Sequence, residues 1–138
     1  MNRNTRNALI ILSPFIILIL FIAIILIINV YGSVASGVTA EGIKRIELEM
    51  KKEDVLSILG KPLETKADAI GHAFKITYAK RWFFGGADFW IYLNSDNRVR
   101  AVYVTDWDTC IVYSLYQQMD TGEIRYYINE ELLYKHFR

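Results

Sequence analysis

A chain of 138 residues has room for one modest domain, and its 53% hydrophobic content is raised by one apolar run near the N-terminus. Taking Arg3 and Arg6 from the 16 Lys and Arg leaves 14 cations beyond that run against 15 Asp and Glu, so no basic face is expected and nucleic acid is not an expected partner. The only cysteine, Cys110, excludes an internal disulfide and a Cys-rich metal site; beside Ile111 and Val112 it is expected to be a small buried hydrophobe.

From Ala8 to Ile28 the 21 residues are apolar except Ser13 and Pro14. As a helix this run would reach ~31 Å, the thickness of a bilayer's hydrocarbon core. The sequence therefore predicts a cytoplasmic N-terminus over 1–7 and a transmembrane signal-anchor over 8–30. Arg3 and Arg6 precede the run and the next cation is Lys44, which orients the remainder to the outside and places the chain in the inner (plasma) membrane. The rival is a cleaved signal peptide with Ser33-Val34-Ala35 as the small-x-small site, but the apolar core is longer than the ~7–15 residues typical of one. Gly32, Ser33, Ser36 and Gly37 mark 31–38 as a linker without core residues, leaving an extracytoplasmic domain over 39–138.

Within that domain Thr39 suits an N-cap, with Ile43 and Ile46 on one helical face. A second helix is expected over Lys52–Leu59: Val55, Leu56, Ile58 and Leu59 form the stripe, Gly60 suits the turn after it, and Pro62 blocks continuation. Alternation predicts strands at Phe74–Tyr78, Phe89–Leu93 and Val99–Val104, the last two joined by the turn Asn94-Ser95-Asp96-Asn97. Thr109–Gln118 fits a fourth strand better than a helix. Asn129 caps a last helix that has Glu130 and Glu131 in its first turn. The class is α+β: an N-terminal transmembrane helix, then two helices packed on a three- to four-stranded antiparallel sheet, with a C-terminal helix.

The segment TAEGIKRIELEMKKEDVLSILGKPL, Thr39 to Leu63, runs as a short helix, Met50, a second helix with Val55 and Leu59-Gly60, then Pro62. Ile91 to Val99 adds a strand, a polar turn and a Val-led strand. Together these resemble the SmpA/OmlA family of BamE-like domains over about residues 39–104. Glu49 and Lys51 stand where that family commonly has Gly and Thr around the Met. The resemblance implies a helix–helix–sheet domain without catalysis that serves as a scaffold subunit of the bacterial cell envelope.

Lys80, Arg81, Trp82, Phe83 and Phe84, beside Gly85-Gly86, set two cations next to three rings on an expected hairpin tip. They are the candidate surface for an envelope protein partner or anionic lipid; the alternative is that the rings pack in the core. Asp106 and Asp108 read as a polar turn. His72 and His136 have no partner at a metal or nucleophile spacing. No enzyme activity, metal or cofactor is expected. The function expected is a membrane-anchored extracytoplasmic interaction or scaffold module; the alternative is a ligand-binding sensor or enzyme-inhibitor domain on the same fold. A pocket lined by Tyr and Trp would favour the second, and a flat aromatic patch the first.

Overall fold

The computed structural model describes residues 3–31, 33–67, 73–81, 85–108 and 110–138, with the side chains of its first helix described for 13–27. That helix, α1 (Arg3–Tyr31), contains Pro14. Its described side chains, Phe15 to Ile27 among them, are almost all exposed. Among the described residues no helix is long and apolar enough to cross a membrane. The expected transmembrane signal-anchor, and the inner-membrane placement drawn from it, are corrected on that finding.

The domain is α+β, as read, but among the described residues its sheet has seven strands where three or four were expected. They are β1 (Ser33–Val34), β2 (Glu64–Ala67), β3 (Phe74–Lys80), β4 (Ala87–Leu93), β5 (Val99–Asp106), β6 (Ile111–Gln117) and β7 (Ile124–Ile128). All pairings are antiparallel. The meander β3-β4-β5-β6-β7 follows chain order, and β1 and β2 lie end to end along the free side of β3. The fourth strand, β6, falls where β-branched and aromatic residues predicted it.

The supposed linker is part of the domain. Ser33 and Val34 pair with Lys80 and Ala79, the Ala35 N–H donates to the Tyr78 carbonyl at 2.8 Å, and Ala35 and Val38 are buried in the core. Gly37 touches the end of the second domain helix so closely that a Cβ there would lie 2.5 Å from the Leu59 carbonyl oxygen. Small residues at 33–37 thus serve close packing.

Helix α2 (Ala40–Lys44) starts as read: the Gly42 N–H donates to Thr39 Oγ1 at 3.0 Å. Helix α3 (Lys52–Leu59) buries Val55 and Leu59, has no side-chain cap at Lys51, and ends at Gly60 with φ 74°. Helix α4 (Glu130–His136) is capped by Asn129, which accepts from the Leu132 N–H at 3.2 Å. The Ala40 N–H donates to the Phe137 carbonyl, and Lys44 ion-pairs with Glu130 at 3.2 Å, so the last residues close against the first helix of the domain. Ile43, Ile46, Val55, Leu59, Leu133 and Phe137 from this helical layer meet Ile76, Phe89, Ile91, Val102, Val104 and Tyr113 from the sheet in one core. Within it Tyr78 stacks on Phe89 at 5.4 Å, donates to the Gly60 carbonyl at 3.2 Å, and is pushed up to about 12 by burial of its hydroxyl. Cys110, expected inside, is exposed: it sits in the turn before β6, and its carbonyl accepts from the Asp106 N–H.

Candidate functional site

Strand alternation that buries aliphatic side chains against the helices turns the intervening residues to the opposite face. In β4, Phe89, Ile91 and Leu93 go inward and Trp90 and Tyr92 outward. Register aligns the outward positions in two rows. Glu64, Thr77, Trp90, Tyr103, Ser114 and Tyr127 stand side by side from β2 to β7, and Lys66, Lys75, Tyr92, Ala101, Tyr116 and Arg125 form the neighbouring row.

The rings in these rows touch. Trp90 and Tyr103 have centroids 5.8 Å apart, Tyr92 meets Tyr103 edge-on at 6.2 Å, and Tyr103 stacks with Tyr116 at 5.9 Å. Lys75 Nζ lies 4.8 Å from the Trp90 ring centroid and 5.9 Å from that of Tyr92. Partial burial among its neighbours raises the Tyr103 hydroxyl's pKa. The four rings are half-buried, and the Trp90 indole N–H finds no acceptor among the described residues. This is a continuous aromatic strip with a cation at one end, on the side of the sheet away from α2, α3 and α4. At the other end an open cleft of about 890 Å³ is bounded by Asn94, Arg100, Tyr103, Tyr116, Gln117 and Met119. Its lining offers ring surface, amides and a guanidinium, but no carboxylate.

The residues singled out from sequence are placed differently. Lys80 ion-pairs with Glu64 at 2.6 Å on the β1/β2 side of the sheet. Arg81 is a structural clamp: its backbone N–H and Nε engage Asp88 at 2.9 and 3.0 Å, and its guanidinium donates to the carbonyls of Asp106 and Trp107 at 2.6 and 3.1 Å. Both cations are occupied within the chain. Trp82, Phe83 and Phe84 lie outside the described residues, as does His72. Asp106 Oδ1 accepts from the Asp108 N–H at 2.9 Å, which fits the turn reading. Burial lowers the pKa of His136. Among the described residues no three His, Cys, Asp or Glu side chains gather where a metal could be held.

Trp90, Tyr92, Tyr103 and Tyr116 were not singled out from sequence as a surface. The available signal was the segregation in Phe89-Trp90-Ile91-Tyr92-Leu93, where the outward positions hold rings in place of the polar residues of a solvated face. Compared with protein-family models, curated proteins and solved structures, the chain matches none.

Proposed function

We propose that this chain is a non-catalytic protein-interaction module that docks a partner protein on the helix-free face of its sheet. The observation that carries this reading is the contiguous strip Trp90–Tyr92–Tyr103–Tyr116 across three strands. Rings with a polar handle supply much contact area at small entropic cost, and they are enriched in the energetic centres of protein interfaces.

The resemblance to the SmpA/OmlA family supports the same reading. Helices α2 and α3 precede the β3-β4-β5 meander, with β2 between them, and Glu49, where that family commonly has Gly, adopts φ 65°. A left-handed turn before Met50 explains why glycine is suited there. The turn is pinned to the β4–β5 hairpin by the Glu49 N–H donating to the Val99 carbonyl and the Val99 N–H donating to the Met50 carbonyl, each at 2.9 Å. The scaffold role in the cell envelope is proposed with that resemblance.

Photo-crosslinking in cells tests the reading. A benzophenone amino acid replacing Tyr103 or Tyr116 should give a discrete protein adduct, and the same probe replacing Glu53 on α3 should not. No adduct from the strip, or equal adducts from both faces, would reject it. The 890 Å³ cleft favours a second reading, a ligand-binding sensor. A small molecule retained in native mass spectra and lost on Tyr116→Ala would support that alternative.

A further inference from the structure

The free edge at β7 carries an inference independent of the aromatic strip. The Gln118 N–H donates to the Glu123 carbonyl at 2.8 Å, and the Asn129 N–H donates to the Val112 carbonyl at 2.7 Å. Between these bonds the register pairs Tyr116 with Arg125 and Ser114 with Tyr127. In an antiparallel ladder, residues whose backbone groups face the partner strand alternate with residues whose groups face away. Arg125 and Tyr127 therefore direct their N–H and C=O toward β6, and Ile124, Tyr126 and Ile128 direct theirs outward. Among the described residues β7 pairs with β6 alone.

That outward set is symmetric about Tyr126, and the side chains match the symmetry. We infer that β7 pairs with β7 of a second copy of this chain, antiparallel, across a twofold axis at Tyr126. In this register Ile124 stands opposite Ile128 of the other copy, Tyr126 opposite Tyr126, and Arg125 opposite Tyr127. All three outward residues fall in hydrogen-bonded pairs across the axis, about six N–H···O=C bonds in all. The facing side chains are aliphatic on aliphatic, ring on ring, and guanidinium on ring. Ile124, Tyr126 and Tyr127 are 60%, 58% and 50% exposed, so the edge is apolar as it stands. No lysine, proline or bulge blunts it. A second copy fits better than an unrelated extended peptide, because the complementarity is already written in the strand itself. Because the contact is isologous, it closes at two copies and leaves no β7 edge for further growth.

Site-directed disulfide formation tests this in the purified full chain carrying Cys110→Ser. Directly opposed Cα atoms in such a pair lie ~5.5 Å apart, within disulfide range. Under mild oxidation Tyr126→Cys should give at least tenfold more covalent dimer than Ile124→Cys alone, whose equivalents are offset along the strands. Mixing the Ile124→Cys and Ile128→Cys chains should restore the dimer. Adding Tyr126→Pro to both removes the outward N–H together with the edge-on contact of the Tyr126 ring with Tyr113, leaves the β6–β7 backbone bonds in place, and should abolish that mixed dimer with circular dichroism unchanged. Equal dimer from Tyr126→Cys and Ile124→Cys, or a mixed dimer that survives Tyr126→Pro, would overturn the inference.

Discussion

The two long edges of the sheet are finished in different ways. On the β3 side the edge is split between β1, two residues long, and β2, four residues long. Glu64 sits between Lys66 and Lys80 there, accepting from each at 2.6 Å. Short pieces and charge are how natural sheets prevent unwanted strand addition. On the β7 side the edge is five residues of Ile, Arg, Tyr, Tyr and Ile, exposed along nearly its whole length. The first edge is also braced from behind: Ala35 and Val38 enter the core, and Gly37 lies against the end of α3. One edge is therefore a structural seam and the other a free surface, and substitutions should separate them.

The largest effect is expected where the seam rests on α3. Leu59→Ala should cost about 2–5 kcal/mol in denaturant unfolding, since Leu59 is fully buried and its loss leaves a cavity. A cost below ~0.5 kcal/mol would show that the helix face carries no load. Gly37→Ala comes next. Its Cβ would meet backbone, not a yielding side chain, so the turn after β1 must shift at a cost of about 1–3 kcal/mol. At the other edge Tyr127→Ser should stay within ~0.5 kcal/mol of the parent, because the ring is half exposed. If Tyr127→Ser instead costs as much as Gly37→Ala, the two edges are not different in kind.

The smallest effect is a pH dependence confined to β2. Hydrogen bonds from Lys66 and Lys80 hold the Glu64 carboxyl down to about 2 from its ordinary 4.5. A depressed folded value means that the ion pairs contribute above pH 4.5 and that their contribution is lost as pH falls toward 2. Amide exchange followed by NMR should show β2 losing protection over that window. Screening by solvent keeps the effect small. Unchanged β2 protection down to pH 2 would mean that the edge is held by its backbone ladder alone.

The same contrast explains what could be read from the sequence. Helix α3 was legible because its apolar stripe, Gly60 and Pro62 are local signals, and β4 because its aliphatics alternate over the full strand. Strands β1 and β2 carry no such signal: Ser33-Val34 and Glu64-Thr65-Lys66-Ala67 are strands only because β3 offers them an edge. β7 was missed for the opposite reason. Its two adjacent tyrosines break the alternation, and with most of the strand exposed there is no buried face to impose one. The aromatic strip was invisible because its members come from β4, β5 and β6. Their contact is a property of cross-strand register, which residue order alone does not fix. Cys110 shows the converse error, an apolar neighbourhood in sequence that becomes an exposed turn in space.

The pairing of Ser33 and Val34 with β3 also has a mechanical meaning. A tension applied through α1 cannot be taken up by a slack tether, because the chain re-enters the sheet at Ser33. It passes into the β1–β3 bonds and the Ala35 N–H bond to the Tyr78 carbonyl, and from there into a strand at the centre of the core. Peeling β1 away would withdraw Ala35 and then Val38, and would lift Gly37 off Leu59. The first rupture under load would thus be a small step that uncovers one side of α3 while the meander from β4 to β7 stays whole. The domain is built to yield first at the end where α1 enters it.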